Sequence, residues 1–326
     1  MEIESHRPPL KCAVIGVGYL GKFHAQKYAA LPDCDLVAVV DRDPETAGRV
    51  ARDLNTQALS DYRPLLDQID AVSIVVPTSQ HYAIAKEFLM AGIHVLVEKP
   101  ITVTLEQADE LIALAEAGGR VLQVGHLERF NAALMALDSV PGKPVLFIES
   151  HRLAPFNPRA NDVSVVLDLM IHDIDIILSL VGSPIARIDA SGASILTRDV
   201  DIANARLVFS DGCVANVTAS RVSMKMERKM RIFRSHRYTS IDFQNRTLTH
   251  HQTGDEEMYP GVPAITTERM MFDNNDALLE EIKHFCACIR HRRQPLVSGQ
   301  DGRSALATAI AIGHLLEKEK DLRQAG

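Results

Sequence analysis

The sequence predicts an α/β protein, with an N-terminal doubly wound parallel sheet over residues 1–130 and a C-terminal α+β domain carrying an open, mostly antiparallel sheet over 131–326. Three observations predict it. A glycine-rich turn follows the first apolar run, strand-like and helix-like segments alternate up to about Gly125, and beyond Pro141-Gly-Lys-Pro144 strand-like segments follow one another with few helices between them. At 326 residues the chain is long for one core and suits two.

The first element is the apolar run before Gly16-Val-Gly18-Tyr-Leu-Gly21. Gly16 allows the tight turn, Gly18 lets backbone approach a pyrophosphate, and Gly21 lets the next helix, Lys22 to Leu31, pack closely on the strand. That helix offers its N-terminal N–H groups and positive dipole end to phosphates. A second apolar run, Asp35 to Asp41, ends in an acid twenty residues after Gly21. Asp41 suits the adenosine ribose and disfavours a 2′-phosphate, which points to NAD; the adjacent Arg42 could instead pair with that phosphate or stack on adenine, which keeps NADP open. Ala71 to Pro77 and His94 to Pro100 are the next strands, with the loop Thr78 to His81 and a helix to Gly92 between them. Thr104 to Ala117 is an amphipathic helix capped by Thr104 with Gln107 three residues on; Gly118-Gly119 stops it, and Val121 to Gly125 closes the sheet. In the second half the strands are Val145–Arg152, Ile185–Leu196, Asn204–Phe209, Val214–Val222, Lys229–Phe233 and Thr239–Phe243, interrupted by a helix over Val163 to Val181. The last helical region, Asn275 to Arg290 and then Gly302 to Lys318, is expected to pack back toward the first domain.

Composition narrows the function. A net charge of −7 argues against a nucleic-acid or anionic-membrane surface. The basic stretch Glu227 to Arg237 alternates with apolar residues and reads as the wet face of an antiparallel strand. Five cysteines form neither a metal-site nor a disulfide framework, so no metal is expected and the thiols read as reduced and mostly buried, in a cytoplasmic protein. No signal peptide or membrane-length apolar run is read in the chain.

Chemistry is expected beyond the carboxyl ends of the parallel strands. Lys99 closes one of them immediately before a proline, which restricts its backbone, and a cation there could stabilise developing alkoxide charge; equally it could be a strand-end lysine paired with Glu98. On the later helix, Leu167, Ile171, Ile174 and Leu178 form an apolar stripe, with Asp168, His172 and Asp175 on an adjacent face. A histidine beside carboxylates suits a general base; the same pattern could also be a buried, satisfied polar pair. His250, His251, His284 and His291 read as surface residues.

Taken in order, the glycine turn, Glu98-Lys99-Pro100, Asp168-x-x-x-His172 and Pro295 to Arg303 resemble the Gfo/Idh/MocA family, over essentially Lys11 to Leu316. The resemblance implies a Rossmann domain and an α/β domain whose open sheet commonly forms the oligomer interface, here of a homodimer or homotetramer. It implies oxidation of a sugar or polyol by NAD(P), with Lys99, Asp168 and His172 at the reacting carbon. Cofactor contacts are expected from Gly16, Gly18, Tyr19, Leu20 and Gly21, from Asp41 and Arg42, from Pro77, Thr78 and His81, and from Glu98 and Lys99. Gly125 to Asn131 and Ser164 to Ile177 look like the branch that oxidises UDP-N-acetylglucosamine at C3, whose keto product feeds an aminotransferase making a diamino sugar for lipid A. A nucleotide-sugar needs cations for its diphosphate. Arg129, Arg152 and Arg159 are the candidates, with Phe156 to stack on uracil; each arginine could equally be an ordinary loop charge. An inositol-type dehydrogenase, a redox-assisted hydrolase and a non-catalytic NAD-binding sensor stand as alternatives.

Overall fold

Leu10–Ile15 (β1), Cys34–Val40 (β2), Gln57–Leu59 (β3), Ala71–Ile74 (β4), His94–Glu98 (β5) and Leu122–Gly125 (β6) form one sheet in the order β3-β2-β1-β4-β5-β6. Every neighbouring pair is parallel. Parallel neighbours need a crossover, and Gly21–Ala30 (α1), Pro44–Leu54 (α2), Thr78–Met90 (α3) and Leu105–Gly118 (α4) supply it. Strands covered on both faces must be apolar along their length, and all four residues of β4 are buried. The strand order reverses between β1 and β4, which places the ligand crevice beyond their carboxyl ends. The structure is a computed structural model and describes residues 8–138, 144–157, 163–272 and 276–325.

The capping expected for α4 is present. Thr104 Oγ1 accepts from the Gln107 N–H and the Gln107 side chain accepts from the Thr104 N–H, each at 3.4 Å, and Gly119 ends the helix with φ +61°. β3 is three residues long and largely exposed, so it leaves no apolar run to find in the sequence.

The second sheet has eight strands: Val145–Leu153 (β7), Ile185–Ala193 (β8), Ile202–Phe209 (β9), Val214–Ser220 (β10), Glu227–Arg234 (β11), Arg237–Asp242 (β12), Thr247–Tyr259 (β13) and Val262–Met271 (β14). Their order is β14-β13-β12-β11-β7-β10-β9-β8, antiparallel throughout except for the pair β7–β10. The last two strands extend the sheet past the six that the sequence pattern indicates. β14 is almost wholly exposed, so it carries no buried stripe. His250 on β13 is buried, not at the surface, with its Nδ1 2.9 Å from Thr239 Oγ1.

Period-two alternation turns Ala203, Ala205, Leu207 and Phe209 of β9 and Ala215, Val217 and Ala219 of β10 to one face. Ala132–Asp138 (α5), Ile171–Val181 (α6) and Gly299–Ala325 (α8) cover it, contributing Leu134, Ile174, Ala309, Ile312 and Leu316 to a common core. The opposite face is polar: Asn204 bonds Thr218 at 2.8 Å and Arg206 bonds Asn216 at 3.1 Å. On β11, Met230 and Ile232 are buried while Arg231 faces out and pairs with Glu149 at 3.3 Å.

The chain divides into two compact units, one of residues up to Leu127 with Leu278–Arg303, the other of Glu128–Ala277 with the chain from Ser304. This differs from a single cut at 130, and the two C-terminal helices part company. Ala277–His291 (α7) buries Leu278, Ile282 and Phe285 in the core of the parallel-sheet unit, at about 1.5–3 kcal/mol per side chain. Most of α8 belongs to the second unit, because its apolar face, Ala305, Ala309, Ile312 and Leu316, is buried there.

Candidate active site

In the parallel-sheet unit, the turn after β1 is shaped by what a side chain would strike. A Cβ on Gly16, whose φ is +84°, would run into the Val75 carbonyl, and one on Gly21 would run into the Gly16 carbonyl. Gly18 differs: nothing in the protein lies within 4 Å of where its Cβ would be. The protein's own packing therefore does not require glycine at 18, whereas a diphosphate laid against the backbone does. Helices α1 and α3, whose N-termini flank the switch point, begin with no side-chain cap and no acid in the first turn. By contrast, α2 and α4 are capped by Asp43 and Thr104. Uncapped N–H groups and an unopposed dipole suit an anion. Asp41 is oriented by two backbone donors, Oδ2 accepting from the Val17 N–H and Oδ1 from the Asp43 N–H, both at 3.0 Å. These residues fit a dinucleotide. Tyr19 is exposed beside the turn, Arg42 is exposed, and Pro77 and Thr78 stand at the start of α3.

His81 does not belong with them. It is buried, with Nδ1 2.9 Å from the Pro100 carbonyl and Nε2 2.9 Å from the Val76 carbonyl. Both ring nitrogens are thus occupied by backbone, and the ring ties the loop after β4 to the loop after β5. Burial lowers its pKa, opposed by the two carbonyls.

Lys99 follows β5 and is half-buried, and its N–H donates to Glu98 Oε2 at 3.2 Å. Behind it, His24 Nε2 on α1 lies 3.2 Å from Glu98 Oε1. A Cβ on Gly125 would sit 2.9 Å from the Glu98 carboxyl carbon, so the strand opposite must be glycine for Glu98 to lie there. Burial alone would raise the Glu98 carboxyl, but the His24 hydrogen bond, the His24 charge and the Lys99 charge outweigh it and hold it below the ordinary range.

The same unit buries a second acid that sequence reasoning misses. Glu281 on α7 is fully buried, neither carboxyl oxygen has a hydrogen-bond partner among the described residues, and its backbone carbonyl accepts from Gln123 Nε2 at 3.3 Å. Burial, reinforced by the Glu98 charge, pushes its pKa well above the usual value, so the folded protein holds this proton more tightly than the unfolded chain. Its contribution to stability is complete below the ordinary carboxylate pKa and is lost as pH rises through the folded value. Glu281→Gln removes the titration and keeps the shape. Its urea midpoint, relative to wild type, is expected to rise steadily with pH through neutrality. A difference independent of pH would show that Glu281 is ionised in the fold.

In the second unit, the segment carrying the Asp-x-x-x-His pattern is not one regular helix. Val166–Met170 is a π-helical turn in which the Ile171 N–H reaches back to the Val166 carbonyl, and α6 begins after it. Such turns recur at functional sites because they re-aim side chains within a helix. Asp168 sits inside the turn and His172 just after it, both half-buried. The neighbouring acids are spoken for. Asp175, expected beside His172, is buried with Arg129 Nη1 3.6 Å away. Asp173 receives two bonds from Arg152, Nε–Oδ2 at 2.9 Å and Nη2–Oδ1 at 3.0 Å.

The substrate residues expected from the sequence therefore separate. Arg152 is buried, its remaining terminal nitrogen bonds Glu128 at 3.0 Å, and its charge is neutralised inside the protein, so it is a structural ion pair instead of a diphosphate ligand. Burial disfavours its charge, but Asp173 and Glu128 more than compensate and raise its pKa. Arg129 is largely buried against Asp175. Phe156 is partly exposed just beyond β7, and Arg159 lies outside the described residues.

A doubly wound parallel sheet, a glycine turn shaped for a diphosphate and a second, antiparallel-sheet unit define a dinucleotide-binding protein of two units. Residues 10–126 match the model of the oxidoreductase family with an NAD-binding Rossmann fold, and residues 146–237 match the GFO/IDH/MocA C-terminal domain. The chain is 41% identical over 303 residues to UDP-N-acetylglucosamine 3-dehydrogenase of Acidithiobacillus ferrooxidans, covering 93% of this chain and 96% of that one. A solved structure of that dehydrogenase from the same organism superposes with a TM-score of 0.91 at 40% identity, covering 96% of this chain and 99% of that chain. The scyllo-inositol 2-dehydrogenase (NAD(+)) of Bacillus subtilis is 30% identical over 322 residues, covering 93% and 92%. The chain belongs to the Gfo/Idh/MocA family of oxidoreductases. It is thus an enzyme with an NAD-binding domain, and the sensor reading falls away.

Proposed function

We propose that this enzyme oxidises C3 of UDP-N-acetylglucosamine to the 3-keto sugar with NAD. The observation that carries the reading is the full-length similarity to the Acidithiobacillus ferrooxidans enzyme, 41% against 30% for the scyllo-inositol dehydrogenase. Bound NAD supplies the hydride acceptor. Lys99 hydrogen-bonds the reacting oxygen, His172 takes its proton, and Asp168 orients the histidine. Half-burial of Asp168 and His172, on a segment whose other two acids are buried beside arginines, supports this division of roles. Oriented Asp41 favours NAD over NADP.

The enzyme assembles as a homodimer or homotetramer through the open face of its antiparallel sheet. A row of half-exposed rings on that face supports this: Phe233 stacks on Tyr238 at 5.0 Å and Tyr238 on His251 at 5.1 Å between ring centroids. The reaction belongs in the cytoplasm, upstream of a transamination leading to lipid A. Among the described residues no helix is long and apolar enough to cross a membrane.

Oxidation of an equatorial ring hydroxyl is uphill, so the test couples the enzyme to a glutamate-dependent aminotransferase and follows the sugar by mass. Conversion of UDP-N-acetylglucosamine to the amino product, with none from myo-inositol or glucose, is the expected result. Turnover of myo-inositol or glucose without any of the nucleotide-sugar overturns the assignment.

A further inference from the structure

Three thiols converge at the amino-terminal edge of the parallel sheet, the end away from the glycine turn. Cys12 comes from β1, Cys34 opens β2 and Cys286 lies on α7. The Cys34 and Cys286 sulfurs are 3.4 Å apart. Cys12 is fully buried, its Sγ 3.4 Å from the Leu10 carbonyl, and Cys286 is nearly so, whereas Cys34 is half-buried and open to a small solute. Arg290, one turn beyond Cys286 on α7, donates to the Asp33 carbonyl at 2.8 Å and so brings a fixed positive charge beside Cys34. Among the described residues, no group of three or more His, Cys, Asp or Glu side chains is arranged to hold a metal ion.

We propose that Cys34 and Cys286 are a peroxide-reactive thiol pair that closes to a reversible disulfide, linking the start of β2 to α7. The chemistry follows from the different surroundings of the sulfurs. The neighbouring Cys12 and Cys286 thiols, together with the Arg290 charge, hold Cys34 well below the ordinary thiol range against its partial burial and the Asp33 charge. Cys12 is pushed up by the two neighbouring thiols and by burial, so it stays a thiol, and its S–H donates to the Leu10 carbonyl. Cys34 is the most accessible of the three sulfurs.

The Cys34 thiolate attacks one oxygen of hydrogen peroxide, forming the S–O bond of a sulfenic acid as the O–O bond breaks and hydroxide leaves. Cys286 then attacks the Cys34 sulfur. The S–S bond forms, the S–O bond breaks, and the sulfenic oxygen leaves as water with the Cys286 proton. The hydroxide takes up a proton from solvent. Two thiols are oxidised, one peroxide is reduced, and a dithiol reductant reverses the link.

The test titrates the reduced full-length protein with hydrogen peroxide, counts thiols after denaturation and maps the peptides. The five free cysteines fall to three, a Cys34–Cys286 peptide appears with the mass of two hydrogens lost, and dithiothreitol restores all five. Buried Cys213, pushed up to about 11 by burial and the Asp211 charge, is the internal control and stays reduced. In Cys286→Ser the reaction stops at the Cys34 sulfenic acid, which dimedone traps; in Cys34→Ser no link forms. A measurement without variants stands beside these: iodoacetamide labels Cys34 of the native protein at pH 6 far faster than the other four. Five intact thiols at peroxide levels that oxidise free cysteine, a link that omits either residue, or Cys34 labelling no faster than Cys213 overturns the proposal.

Discussion

Lys99→Met and His172→Ala are each expected to lower turnover on the true substrate by ~10²–10⁴-fold, the usual cost of losing a general base or its electrostatic partner. NAD affinity is expected to stay almost unchanged. The groups shaped for the dinucleotide are Gly16, Gly18, the α1 N-terminus and Asp41, and none is altered by either change. Methionine keeps the length and apolar stem of Lys99 and removes its charge, so a fall in turnover reports the ammonium and not the packing. If Lys99, Asp168 and His172 act on one proton as proposed, the pH profile of kcat/KM reports apparent pKa values of the set. Asp168→Asn should move that profile as well as lower its maximum, which loss of a merely structural aspartate would not do. The measurements are kcat by product mass and NAD binding by titration. Near-normal turnover in both Lys99→Met and His172→Ala would remove the proposed catalytic set.

Much of the candidate site was legible because its signals are local. Gly16, Gly18 and Gly21 are fixed by one turn, Asp41 by a strand length, Lys99 by the proline after it, and Asp168 and His172 by a single helical segment. The fold class was legible for the same reason: buried parallel strands and half-buried antiparallel ones leave different periods in the chain. What escaped depends on residues far apart in sequence. His81 has the position of a cofactor contact, yet the carbonyls of Val76 and Pro100 converge on it, which no spacing announces. The His24–Glu98 pair spans 74 residues, and Glu281 reaches Gln123 across 158. β13 and β14 escaped for a different reason: β14 is almost wholly exposed, and β13 buries only its first residues, among them Leu248 and His250, so the hairpin leaves no sustained apolar pattern. The π turn at Val166–Met170 is invisible because its residues are as suited to an α-helix.

Arg152 is where reading a charge without its partners misleads most, and it carries the largest expected effect on stability. An arginine just before a proline-bearing loop looks available for phosphate, but its partners stand 21 and 24 residues away on the chain, at Asp173 and Glu128. Removing the guanidinium strands a nearly inaccessible Asp173 carboxylate beside a largely buried Glu128. Breaking a buried pair from one side costs about 3–5 kcal/mol, because the remaining charge keeps its desolvation penalty and loses its compensation. Arg152→Met is therefore expected to lower the unfolding free energy of the second unit by that amount at pH 7, read as a fall in its urea midpoint. Arg152→Met combined with Asp173→Leu and Glu128→Gln should recover most of it, as apolar or neutral replacement of a whole buried ion cluster often does. A phosphate-binding arginine would behave in the opposite way: Arg152→Met would raise KM for the nucleotide-sugar and leave the urea midpoint where it was. Equilibrium unfolding and steady-state kinetics on this one variant thus decide between a scaffold ion pair and a substrate contact, and the two bonds to Asp173 and the third to Glu128 favour the scaffold.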